Sequence, residues 1–178
     1  MKVVLDACVI FPPILRDILL GVAAAGLYQP LWSERIMEEW ARATRKIGPS
    51  AEGEARIVAA AMNAQFPRAM QRAEPGLEAR LLLPDPNDVH VLAVAIGSSA
   101  DAILTFNASD FPRHTLAEEG VERRDPEGFL WELWSHHPEA VAEVVGRVHA
   151  HAEQMAGTEV SRKAMLKRAR LSRLAKVV

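Results

Sequence analysis

Short apolar runs, each closed by a polar or acidic residue, constrain this chain more than any other feature. Val3-Val4-Leu5 ends at Asp6, and Ala102-Ile103-Leu104-Thr105 runs into a polar loop holding Asn107 and Asp110. Such runs read as strands of a parallel sheet covered on both faces, where apolar residues need not alternate with polar ones. Further strands are expected at 27–32 and 121–123. Helical patterns lie between them. One covers 14–25, with Pro12-Pro13 at its entry and Gly26 at its exit. A second starts at a Ser33 cap and reaches about residue 46, with Ile36, Met37 and Trp40 on one face. A third covers 51–66 and is stopped by Pro67. Residues 74–84 read as a connector, and an apolar helix over 89–96 follows Asp88. The expected fold is a three-layer α/β arrangement, a mainly parallel sheet flanked by helices. From Asp125 onward only helical patterns occur, at 126–136, 139–156 and 161–176. The expected organisation is therefore an α/β domain over 1–124 and a helical extension over 125–178.

Composition narrows the class. At 178 residues, 49% hydrophobic and 25% charged, the chain can bury one sizeable core. Its single cysteine, Cys8, excludes an internal disulfide and a cysteine-based zinc site, and reads as a small buried residue. A reduced, cytoplasmic setting fits. Lys2 before apolar residues imitates a signal peptide, but Asp6, Pro12, Pro13 and Arg16 interrupt the run. No segment approaches the ~18 apolar residues of a membrane span, so no membrane partner is expected. The net charge of −2 hides an asymmetry. Residues 161–178 carry seven basic residues and no acid, leaving fourteen basic against all 23 acidic residues elsewhere. A basic end suits a nucleic acid or an acidic protein surface, and equally a solvated helix face.

Acidic residues recur at element ends. Asp6 closes the first strand, at the edge where open α/β sheets place ligands. Glu38 and Glu39 share the helix after the second strand, about 100° apart, so they cannot face the same way. Glu39, beside Trp40, is expected nearer the sheet. Asp85-Pro86-Asn87-Asp88 supplies a turn residue and a helix start, and Asp88 is expected to point into the crevice beside Asp6. Asn107 and Asp110 follow the third strand, suited to capping a helix or to binding a metal, a water or a phosphate. Converging carboxylates without His or Cys favour Mg²⁺ or Mn²⁺. His90 reads as a partly buried helix residue. Arg16 and Arg113 follow acid-bearing loops and are candidates for holding a phosphate backbone, as are Arg42, Arg45 and Lys46.

Four phrases in order, VVLDACVIF, LWSERIMEEW, DPNDVHVLAVAI and ILTFNASDF, resemble PIN-domain ribonucleases, including the VapC toxins of type II toxin–antitoxin pairs. The resemblance covers roughly residues 2–124. It implies a metal-dependent endoribonuclease using Mg²⁺ or Mn²⁺, with Asp6, Glu39, Asp88 and Asp110 as catalytic and metal-binding residues. Asp85, Asn107 and Glu38 are accessory candidates. Many relatives carry an acid where this chain has Asn107, so the fourth position falls to Asn107 or Asp110. The partners implied are an RNA substrate and a cognate antitoxin protein, with a homodimer left open. A catalytically degenerate module that binds RNA or a partner is the alternative. A phosphatase using an Asp after the first strand would need a second Asp where Cys8 stands.

Overall fold

The computed structural model describes residues 1–178. In chain order the elements are β1 (Lys2–Leu5), α1 (Ala7–Ile10), α2 (Pro13–Ala24), β2 (Gln29–Ser33), α3 (Glu34–Ala43), α4 (Ala51–Gln65), β3 (Met70–Gln71), α5 (Pro75–Glu78), α6 (Val89–Gly97), β4 (Ala102–Leu104), α7 (Arg113–Glu118), β5 (Glu122–Arg124), α8 (Pro126–His136), α9 (Pro138–Ala156) and α10 (Arg162–Arg168). The fold is a three-layer α/β arrangement with a helical extension, and its five-stranded sheet is parallel throughout, in the order β3-β2-β1-β4-β5. No helix is long and apolar enough to cross a membrane.

The chain divides into two compact units, residues 1–11 with 29–124, and residues 12–28 with 125–178. In the first, Val3, Val4, Leu5, Leu31, Ile103 and Leu104 are buried at 1% exposure or less. A strand covered on both faces gains from apolar residues on each. Helix α6 is buried from Val89 to Ala95, which explains its nearly unbroken apolar sequence. Ser33 ends β2 and caps α3, its Oγ accepting the Ile36 N–H at 3.3 Å. Trp32 is anchored by its indole N–H, which donates to Asn63 Oδ1 at 2.8 Å, and by an edge-on contact with Phe66. Three elements were not anticipated, the first being the short helix α1 directly after β1. Strand β3 extends the sheet beside β2, and α5 interrupts the expected connector.

In the second unit, α2 packs on α9 and α8 on α9. Helix α2 begins with Pro13 and ends at Gly26, whose φ of +81° and Leu27 N–H to Val22 C=O bond form a left-handed helix stop. Gly21 allows the close α2–α9 approach, since a Cβ there would lie 2.5 Å from Val144 Cγ1. The expected helix over 161–176 is shorter. Helix α10 stops at Arg168, Arg170 adopts φ +62°, and the Leu171 N–H returns to the Leu166 carbonyl. Leu166, Ala169, Leu171 and Leu174 are buried by this turn, not displayed along a continuous helix.

Candidate metal centre

The site begins with sheet register. Leu5 pairs with Leu104, so the residues following β1 and β4 emerge together. The Asp6 N–H donates to the Leu104 carbonyl at 3.1 Å, and Thr105 Oγ1 donates to Asp6 Oδ2 at 2.6 Å. Cys8 Sγ donates to the same oxygen at 3.1 Å. A carboxylate only 7% exposed requires donors of this kind. Asp6 stands at the start of α1 without capping it through its side chain. Cys8 is half-buried and polar in its contacts rather than simply apolar, for it also accepts the Phe106 N–H at 3.3 Å. Burial first, then the charge of Asp6, pushes its thiol up to about 12, so it remains a protonated donor. Thr105 completes the chain of contacts by accepting the Asn107 N–H at 2.9 Å.

Asp85, Asp88 and Asp110 place carboxylate oxygens within 4.8 Å of one another. Asp85 Oδ1 accepts the Asn87 N–H at 2.9 Å and fixes the turn leading into α6. Asp88 opens α6 without capping it. Its Oδ2 accepts from Asn107 Nδ2 at 3.3 Å, and the same amide donates to Asp110. Asn107 is thus a bridging donor, and Asp110 supplies the third carboxylate. The tight triad differs from the set expected from sequence, because it includes Asp85 and omits Asp6 and Glu39. Burial, then the charges of Asp6, Asp85, Asp110 and Glu39, push Asp88 up to about 6. All four other carboxylates therefore act on this one group.

Glu38 and Glu39 are separated by their partners more than by exposure, at 31% and 38%. Glu38 accepts from Arg56 at 2.7 and 3.0 Å and from Arg42 at 2.6 Å. These guanidinium bonds, Arg56's first, hold it at about 2. Glu39 meets His90 Nε2 at 3.1 Å and Arg35 Nε at 3.1 Å. Burial alone would raise Glu39, but His90 and Arg35 outweigh it and hold the carboxyl below its usual range. His90 is 2% exposed, more deeply buried than expected, and links α6 to Glu39 on α3. The signal for this was a lone polar residue within a wholly apolar helix, where a buried imidazole needs a partner.

Two arginines not singled out from sequence hold the acid-bearing loops. Arg35 Nη2 donates to the Asn87 carbonyl at 3.3 Å, beside Asp88. Arg123 Nη1 donates to the carbonyls of Ala108 and Phe111 at 2.7 and 3.0 Å, on either side of Asp110. Arg113 is exposed and lines, with Arg123 and Arg124, a cleft of about 380 Å³. Arg16 belongs to the other unit. Its side chain is 13% exposed and lies 3.5 Å from Asp17, so little of the guanidinium faces solvent.

The donor set fits a hard divalent cation. Asp85, Asp88 and Asp110 offer only carboxylate oxygens, with no thiolate or imidazole among them. Burial first and the neighbouring carboxylates second hold Asp88 at about 6, and a cation would offset the second of these.

Comparison with known families matches residues 2–109 to the PIN domain. No curated protein and no solved structure gives a significant match. The profile spans well over half of the chain and takes in β1, α3, α6 and the Thr105–Asn107 loop, so this chain belongs to the PIN domain family.

Proposed function

We propose that this chain is a metal-dependent endoribonuclease that hydrolyses RNA phosphodiester bonds, and that it is the toxin of a toxin–antitoxin pair. Family membership suggests a nuclease-type function. The observation that carries the reading further is the convergence of Asp85, Asp88 and Asp110, under the charge of Asp6 and Glu39. Asp85, Asp88 and Asp110 would hold Mg²⁺ or Mn²⁺. A divalent cation supplies Lewis acidity toward a phosphoryl oxygen and a bound water of lowered pKa. The chain's own contribution is orientation. Thr105 and Cys8 fix Asp6, His90 and Arg35 fix Glu39, and Arg123 holds the loop carrying Asp110. A carboxylate of the same cluster takes the proton of the attacking water. Arg113, Arg123 and Arg124 line a cleft suited to the phosphate backbone.

Support for RNA and for a toxin role comes from the four motifs resembling VapC proteins, which also argue for a small antitoxin partner, a cytoplasmic site of action and a homodimer. One observation favours a second reading, a non-catalytic module that binds RNA or a partner. The neutral amide of Asn107 already satisfies Asp88 and Asp110 without a cation. Incubating purified protein with total RNA in Mn²⁺, Mg²⁺ or EDTA separates the two. The ribonuclease gives discrete metal-dependent fragments that disappear in Asp6→Asn and Asp88→Asn. Intact RNA under every condition would leave the binding module. Induced expression that arrests growth for the wild type, but not for Asp88→Asn, tests the toxin role.

A further inference from the structure

Outside the end of the chain, Arg35, Arg42, Arg45, Arg56, Arg80 and Arg147 each lie against a glutamate, while Arg68, Arg72 and Arg113 have no carboxylate partner. Cations without such a partner are densest at the end of the chain. All seven cations of residues 161–178 are exposed, and Arg162, Lys163, Lys167, Arg168 and Lys176 have no carboxylate partner.

This cationic segment is ordered. Met165, Leu166, Leu171 and Leu174 are buried, so the intervening basic side chains are turned outward. The backbone N–H of Arg173 donates to the Glu127 carboxylate, and its guanidinium lies 4.5 Å over the ring of Trp131. Trp131 and Trp134 form a half-buried pair with centroids 5.0 Å apart. We propose that α10, the terminal turn and the Trp131–Trp134 pair form a nucleic-acid-binding face, whose occupant is the phosphate backbone of single-stranded RNA.

Three physical points select this occupant. A protein partner is met by an apolar patch ringed with polar residues, but the leucines of this segment are already buried. A membrane-binding helix displays its apolar face, and here that face is spent on the unit's own core. Fixed cations beside aromatic rings match a single strand, which offers regularly spaced phosphates and unstacked bases. RNA as the ligand rests on the function proposed above, but the face is independent of the carboxylate centre.

The test is binding of a fluorescein-labelled 20-nucleotide single-stranded RNA to the full chain in EDTA, where cleavage plays no part. The triple variant Lys163→Gln, Lys167→Gln, Arg168→Gln is expected to bind about tenfold or more weakly at 100 mM salt. Its slope of log affinity against log salt should be shallower by about 2, at roughly 0.7 per phosphate contact. The variant Arg56→Gln, Arg80→Gln, Arg147→Gln carries the same change in charge and should retain the wild-type affinity within about twofold. Lys163→Gln and Lys176→Gln alone should each give a partial loss, which guards against misfolding of the triple variant. Absence of wild-type binding, or equal losses in the two triple variants, overturns the proposal. So does preferential capture of phosphatidylserine vesicles. Binding lost in the first triple variant of a protein that cuts no RNA would sustain this face while removing the ribonuclease. Cleavage with unaltered binding would do the reverse.

Discussion

The two units gather charge in opposite ways. In the sheet unit, carboxylates from residues as far apart as Asp6 and Asp110 are brought together by strand register and loop clamps. In the helical unit, cations from one continuous stretch are displayed because the apolar residues between them turn inward. Convergence through tertiary structure works against desolvation and Coulomb repulsion, which in that order push Asp88 up to about 6. Local display separates like charges and leaves them in solvent. A centre of the first kind should fail when one member is lost, whereas a surface of the second kind should decline by degrees.

The largest expected effect tests that asymmetry directly. Asp88→Asn should lower metal-dependent RNA cleavage by at least about 100-fold, since it removes one carboxylate of three. Lys163→Gln should weaken RNA binding by no more than about threefold. Comparable losses in the two assays would erase the distinction. Next in size is packing within the helical unit. Gly21→Val places atoms where Val144 lies and should cost about 1–3 kcal/mol in urea unfolding, without changing cleavage chemistry.

A smaller effect concerns pH. Asp88 has a native pKa raised from 3.8 to about 6, so between those values the folded chain binds more protons than the unfolded one. The resulting stability is present below about pH 4 and is lost as pH rises through about 6. Because Asp88 is partly exposed, the loss should be on the order of 1 kcal/mol after solvent screening. It should appear in metal-free protein as a difference between wild type and Asp88→Asn, whose stability curve should lie flatter over this range. A steeper curve for the variant would reverse the sign and contradict the charge crowding. Smallest of all is Arg80→Gln. The Arg80–Glu119 pair lies at the surface, and its removal should leave the melting temperature unchanged within error.

What the sequence made visible depended on how local the physics was. The apolar runs of β1 and β4, the Ser33 cap and the proline and glycine bounding α2 act over a few residues, and each was readable. Strand β3 was not, because two residues carry no periodicity and Met70–Gln71 joins the sheet only through pairing with β2. The break after α10 was hidden because Arg170, not glycine, takes the left-handed conformation. Within the site, Asp6 and Asp88 stood out as acids at element starts. Asp85 had a sufficient local explanation as a turn residue, which concealed its place in the triad. Thr105 gained its role through a contact with Asp6 99 residues away in sequence, and Cys8 meets the Phe106 N–H across 98, for which no local pattern exists.

The assignment of Pro12–Tyr28 to the helical unit bears on how the protein is made. Helix α2 leaves the ribosome early, carrying Leu15, Ile18, Leu19, Leu20 and Val22, all of which end buried. Its partner α9 is completed roughly 130 residues later, on the order of ten seconds at bacterial-like rates of synthesis. Throughout that interval an apolar helix waits within a growing chain, without the surface that will cover it. Nascent chains of this protein should therefore engage chaperones through α2, and a truncation ending at residue 124 should aggregate unless α2 is made polar.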